Sequence, residues 1–117
     1  MTSTTSAQPM VVGRGKLAFS TEWLNPEVVR ISVQGEIDAT NEAELRDYVF
    51  GRAANCKILI LNLHEVSFFS TAGFSALLTI DDRCDRAAVN WMVVPSAAVS
   101  RVLDICDREF TIPCGCV

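Results

Sequence analysis

Apolar and polar positions follow two different periods along this chain, and the changes between them lay out its elements. Leu17, Phe19 and Trp23 stand against Ala18, Ser20 and Glu22, the period-two pattern of a strand with one buried face. Leu24-Asn25-Pro26-Glu27 then supplies turn chemistry, since Pro presets its φ and Asn bonds locally. Val29, Ile31 and Val33 against Arg30, Ser32 and Gln34 give a second strand, and the two predict an antiparallel hairpin with one wetter face. Asn41 and Glu44 match a helix start in which each side chain satisfies a free backbone N–H, and Leu45, Tyr48, Val49 and Ala53 continue at helical spacing. The near-continuous apolar run from Lys57 to Leu63 is short and rich in β-formers, which predicts a central strand covered on both faces. A second helix is predicted over Thr71 to Arg86, with Phe74, Leu77 and Leu78 inward. Val89 to Val94 reads as another buried strand, ended by Pro95. Ser96 is placed to cap a third helix, on which Val99, Val102, Leu103 and Cys106 form one apolar stripe. Phe110 to Ile112 is expected to add a short edge strand. The order β-β-α-β-α-β-α predicts an α/β domain with a partly parallel sheet.

At 117 residues, half of them hydrophobic, the chain suits one domain with one core. The Ser/Thr-rich stretch from Met1 to Met10 carries no apolar signal-peptide core. Residues 1–14 read as a flexible leader, 15–113 as the domain and 114–117 as a C-terminal tail. No apolar run reaches the length of a bilayer span, so the expected location is the cytosol. The net charge is −4, with acids and bases interleaved. With no basic cluster to neutralise a phosphate backbone, nucleic acid is not an expected partner. A basic amphipathic helix for a membrane surface is also missing. Five cysteines, an odd number, three of them inside apolar patterns, argue against a secreted disulfide framework.

The inventory of reactive side chains is thin. His64 is the only histidine and Cys114-x-Cys116 the only close cysteine pair, and two tail thiolates do not complete a four-coordinate zinc site. A nucleophilic site would have to use His64, with Asn62 and Glu65 near it, yet no nucleophile-elbow pattern is present. Asp81 and Asp82 are adjacent on a helix and point in different directions. Gly13-Arg14-Gly15 precedes a strand where a nucleotide fingerprint would follow one. The expectation is therefore no enzyme, no metal and no cofactor. What remains is Ser67-Phe68-Phe69-Ser70-Thr71-Ala72-Gly73-Phe74, joining the central strand to the second helix. Ser70 fits the N-cap and Thr71 the first helical position. Small Ala72 and Gly73 are expected to keep the hydroxyls accessible, and the helix start favours negative charge. A phosphate on Thr71 would be tolerated there while changing the surface by nearly two charges.

These segments resemble the STAS domain of bacterial anti-sigma-factor antagonists. Gly35-Glu36-Ile37-Asp38 with Thr40 is similar to that family's loop after the hairpin. Leu61-Asn62-Leu63 through Gly73 is similar to its strand and switch segment, and Pro95-Ser96-Ala97-Ala98-Val99-Ser100-Arg101-Val102-Leu103 to its final helix start. The likeness runs from about Leu17 to Ile112. It implies a STAS-like mixed sheet, an antiparallel hairpin plus parallel strands, packed with three to four helices. It also implies a non-enzymatic regulator of transcription in a stress response. Such a protein binds an anti-sigma factor with a histidine-kinase-like ATPase fold and frees a sigma factor; phosphorylation breaks the complex. By the resemblance, Thr71 is the phosphate acceptor. Asp38, Thr40, Ser70, Thr71, Ala72, Gly73 and Phe74 form the switch and partner face. Ser70 departs from the pattern, standing where the family carries Asp; it caps the helix but brings no charge. A second mode of control would oxidise thiols among Cys84, Cys106, Cys114 and Cys116. Of these, Cys106 is expected buried in its stripe, and Cys114 and Cys116 exposed on the tail. The alternative role is a STAS scaffold or interaction module of a stress-sensing or transporter complex. Oligomeric state separates the two, because an antagonist should be a monomer or weak homodimer and a scaffold a large assembly.

Overall fold

The computed structural model describes Val11–Val12 and residues 17–115. In chain order the elements are β1 (Val11–Val12), β2 (Leu17–Asn25), β3 (Val28–Ile37), α1 (Glu42–Arg52), β4 (Ile58–Phe69), α2 (Thr71–Arg86), β5 (Asn90–Val94) and α3 (Ala97–Cys106). They build one mixed sheet in the order β1-β2-β3-β4-β5. β1 and β2, and β2 and β3, pair antiparallel, whereas β3, β4 and β5 run parallel. The predicted hairpin, parallel strands and three helices are all present; the two-residue β1 was not expected. The leader up to Met10, the Gly13-Arg14-Gly15 segment and Cys116 lie outside the described residues.

The core sits on one face of the sheet. Leu17 and Phe19 on β2, Val29, Ile31 and Val33 on β3, and Leu59, Leu61 and Leu63 on β4 are all buried into one cluster. α1 adds Leu45 and Val49, α2 adds Ala76, Leu77 and Ile80, and α3 adds Val99 and Leu103. Polar groups that enter this layer are paired, as burial demands. The Tyr48 hydroxyl lies 2.7 Å from Thr21 Oγ1, while its ring stacks on Phe19. Trp91 Nε1 donates to Asp81 Oδ1 at 2.9 Å, tying β5 to α2.

The opposite face is more open, and this corrects the expectation that β4 is covered on both sides. Ile58 is 40% exposed, and His64 and Glu65 are exposed as well. An Arg30–Glu22 ion pair lies across this face, and Asn62 Nδ2 donates to Ser32 Oγ at 3.3 Å. β4 also extends well past the apolar run that announced it. Its partner register against β3 slips between Ser32 and Gln34 and again between Gly35 and Glu36. These bulges put extra residues into β4 and stretch the spacing of its buried positions from two residues to three, through Leu63, Val66 and Phe69.

Two further expectations are corrected. Leu78 faces outward on α2 at 38% exposure, while Ala76, Leu77 and Ile80 turn inward. Phe110 to Ile112 forms no strand; the edge of β5 is instead bridged by Cys114, opposite Val93. Val93 N–H donates to Pro113 O, and Gly115 N–H donates back to Val93 O. The reason is Asp107, a buried carboxylate whose two oxygens accept from Thr111 N and Ile112 N at 2.8 and 2.9 Å. That clamp folds the chain into a tight loop, with Phe110 at φ 54°, and delivers the next residues to the sheet edge. No helix of the described residues is long and apolar enough to cross a membrane. Asp107→Ala should cost about 1–3 kcal/mol in urea unfolding. Amide exchange should rise first at Ile112 and Gly115; unchanged protection there would mean that the clamp does not hold the segment.

Candidate functional site

The predicted switch segment and the loop after β3 meet because two parallel strands end side by side. β3 and β4 stay paired to their last residues, Ile37 opposite Phe69. Ser70 N–H then continues the ladder, donating to Ile37 O at 3.0 Å. Asp38 and Thr71 each follow directly from a member of that bond. The carboxyl ends of parallel strands are where α/β proteins place binding sites, because the chain leaves the sheet there and exposes its loops.

On the β4 side, Ser70 is the N-cap of α2 and its Oγ accepts from Ala72 N at 3.1 Å. Ser70 O accepts from Gly73 N and Phe74 N. Thr71 is exposed at the first helical position, and the first turn of α2 holds no acidic residue. Its hydroxyl therefore stands at the positive end of a sixteen-residue helix with no carboxylate from that turn to repel an added phosphate.

On the β3 side the loop is pinned by its own side chains. Asp38 Oδ1 accepts from Thr40 N at 2.9 Å and from Thr40 Oγ1 at 2.6 Å. Thr40 thus serves to hold the Asp38 carboxylate. Asn41 sits at the N-cap of α1 but makes no side-chain cap bond, contrary to the capping pattern expected from sequence. Its amide instead spans the loop, accepting from Asp38 N and donating to Glu36 O, both at 2.9 Å. The loop needs an acceptor and a donor on separate atoms of one side chain, which an amide supplies. That requirement is the signal in the sequence that a capping reading passes over.

Gly73 has a different reason to be small from the one expected. It is buried, and a Cβ there would stand 2.5 Å from Phe69 Cε1. The missing side chain makes room for the Phe69 ring, which is itself buried. Phe74 is partly buried against the core, and Ala72 is half-buried. Phe68, by contrast, is 50% exposed beside the site, an apolar group that sequence reasoning noted without assigning.

A STAS domain model matches residues 24–115. The chain belongs to the STAS domain family. Osmosensory protein A of Mycobacterium tuberculosis (strain ATCC 25618 / H37Rv) is 38% identical to this STAS chain over 79 residues, 67% of the chain and 50% of that protein. The aligned region thus spans about half the length of that curated relative. Among solved structures, an anti-sigma factor antagonist from Mycobacterium paratuberculosis superposes with a TM-score of 0.76 at 21% identity, covering 89% of each chain. The anti-sigma factor antagonist SpoIIAA in its unphosphorylated form gives a TM-score of 0.67 at 20% identity, covering 83% of this chain and 87% of that one. The phosphorylated form of the Bacillus cell fate determinant SpoIIAA gives 0.62 at 19%, over 83% and 90%. At these identities the likeness is one of STAS fold.

The candidate thiols sit late in α2, at the end of α3 and beside the edge of β5. Cys84, on α2, is buried, and its thiol is pushed up to about 11 by burial, then by neighbouring Cys56 and Asp81. Cys106, late in α3, is partly buried. Cys114 is exposed as a residue, but its Sγ turns back to Ile112 O at 3.7 Å. Desolvation there, followed by Asp107 and Asp104, raises its thiol. Its backbone is held at the sheet edge, unlike the loosely packed tail expected from sequence.

Gly73→Ala should destabilise the STAS domain by about 1–3 kcal/mol, because overpacking against Phe69 outweighs the better helix propensity of Ala. Denaturant unfolding of Gly73→Ala with and without Phe69→Leu tests the cause: the smaller partner should make the added methyl less costly.

Proposed function

We propose that this STAS domain is an interaction module that antagonises an anti-sigma factor, with Thr71 as the control point. The supporting observation is the Ser70 N–H to Ile37 O bond. It joins the Asp38–Thr40 loop and the start of α2 into one exposed patch around a threonine hydroxyl. In this reading the patch, with Phe68 and the outer side of α2, receives a cytosolic anti-sigma factor of histidine-kinase-like ATPase fold. Unmodified Thr71 permits the complex and sigma factor is released. Phosphate adds nearly two negative charges at a helix end that tolerates them, so the fold survives while the surface changes.

Control by phosphate is favoured over control by Cys84 or Cys114. A thiolate is the reactive species, and both Cys84 and Cys114 are held toward the thiol. The scaffold alternative predicts large assemblies, so sedimentation separates it from a monomer or weak homodimer. Thr71→Glu should weaken an anti-sigma partner by at least about tenfold, or 1.4 kcal/mol, with an unchanged circular dichroism spectrum. Equal affinity of wild type and Thr71→Glu for a confirmed partner would remove Thr71 as the switch.

Ser70 supplies a second test. It caps α2 without a charge, where a carboxylate would also help orient the Thr71 hydroxyl or a metal ion during transfer. Ser70→Asp should therefore speed phosphate incorporation at Thr71 by a cognate kinase. Radiolabel time courses for the two proteins decide it, and equally fast wild type would make the carboxylate unnecessary.

A further inference from the structure

A pair of thiols lies at the end of α2 remote from Thr71. Cys84 belongs to the last part of α2, and Cys56 to the segment that enters β4. Both are buried, at 8% and 6% exposure. Both line one cleft of about 150 Å³, whose walls include Val49, Phe50, Leu59 and Val89. Arg83, also on the wall, sits over the Phe50 ring at 4.1 Å from its centroid. The segments of Cys56 and Cys84 meet at the start of β5, where Val89 N–H donates to Cys84 O at 2.8 Å and Asn90 N–H donates to Lys57 O at 3.0 Å. Both cysteines belong to the edge of the hydrophobic core, and two cysteines lining one small cleft set this part of the core apart.

We propose that Cys56 and Cys84 form a two-sulfur site for thiophilic electrophiles that bond both sulfurs at once, the cleft holding an apolar substituent about the size of one aromatic ring. An apolar cavity of about 150 Å³ is large enough to take benzene. Reagents that attack a single sulfur are disfavoured. They need the thiolate, and a thiol held near 11 presents it as only about one part in ten thousand at pH 7. A bridging electrophile is different. Its first bond to sulfur fixes it beside the second thiol, so the second bond forms within the molecule at high effective concentration. A trivalent arylarsine oxide fits this chemistry. Two As–S bonds form, two S–H bonds break, and the arsenic oxygen leaves as water carrying both thiol protons. Arsenic stays trivalent and no sulfur is oxidised, so no oxidant is required. The site is independent of any partner at Thr71.

The test uses the full chain as Cys114→Ser/Cys116→Ser, which removes the close tail pair as a competing chelator. This protein is treated with phenylarsine oxide, challenged with excess glutathione, and followed by intact mass and peptide mapping. One phenylarsenic group per chain is expected. It should protect Cys56 and Cys84 together from alkylation, survive the monothiol and be released by a dithiol. Adding Cys56→Ala should abolish the retained group, with thermal melting as the check on folding. Absence of a glutathione-resistant adduct in Cys114→Ser/Cys116→Ser would overturn the proposal, as would an adduct mapped to Cys106. Both outcomes are read in a protein whose Cys56 and Cys84 are untouched, so they do not depend on the folding of the Cys56 variant.

Discussion

Because β3 and β4 run parallel and stay paired to their final residues, whatever follows one strand is placed beside whatever follows the other. The Ser70–Ile37 bond carries that pairing one step beyond Phe69. An antiparallel pair would have set the start of one strand beside the end of its neighbour. Here two loop starts emerge together, one leading into α1 and the other into α2. The position of Thr71 relative to Asp38 is thus a property of the sheet, and the loops need only be stiff enough to preserve it.

That stiffness comes from unlike devices on the two sides. The Asp38–Asn41 loop is closed by polar groups: a carboxylate bound by Thr40 and an amide that both gives and receives. The α2 side is held by a hydroxyl cap and by the Phe69 ring occupying the volume over Gly73. A patch built this way can change its charge at one exposed hydroxyl while its backbone remains fixed. Such a surface can be read by a partner in two states without the fold having two states.

Much of this was legible in the sequence where one local rule decided the outcome. The β2–β3 hairpin followed from alternation, α2 began and ended at Thr71 and Arg86, and the hydroxyls of Ser70 and Ser96 cap their helices. The departures arise where non-local contacts decide. The bulges against β3 break the alternation of β4, so its end at Phe69 is invisible to a period-two reading. Leu78 is apolar but is turned outward by the angular position of α2. Asn41 fits a cap locally, yet its bonds to Glu36 and Asp38 satisfy both sides of its amide. The Asp107 clamp depends on a buried carboxylate reaching two backbone N–H groups, which no apolar pattern records. Cys56 and Cys84 share a cleft only because α2 folds back over the start of β4.

The same parallel pairing also has a kinetic side. Ile37 and Ser70 are separated by all of α1 and β4, and a parallel pair forms only after the crossover between its strands has closed. Contacts so distant along the chain are late to form in folding, since loop closure must precede them. The patch around Thr71 is therefore assembled only in a chain whose central crossover is complete. A protein that recognises both loops at once would pass over nascent or partly unfolded copies, so that only finished molecules compete for it.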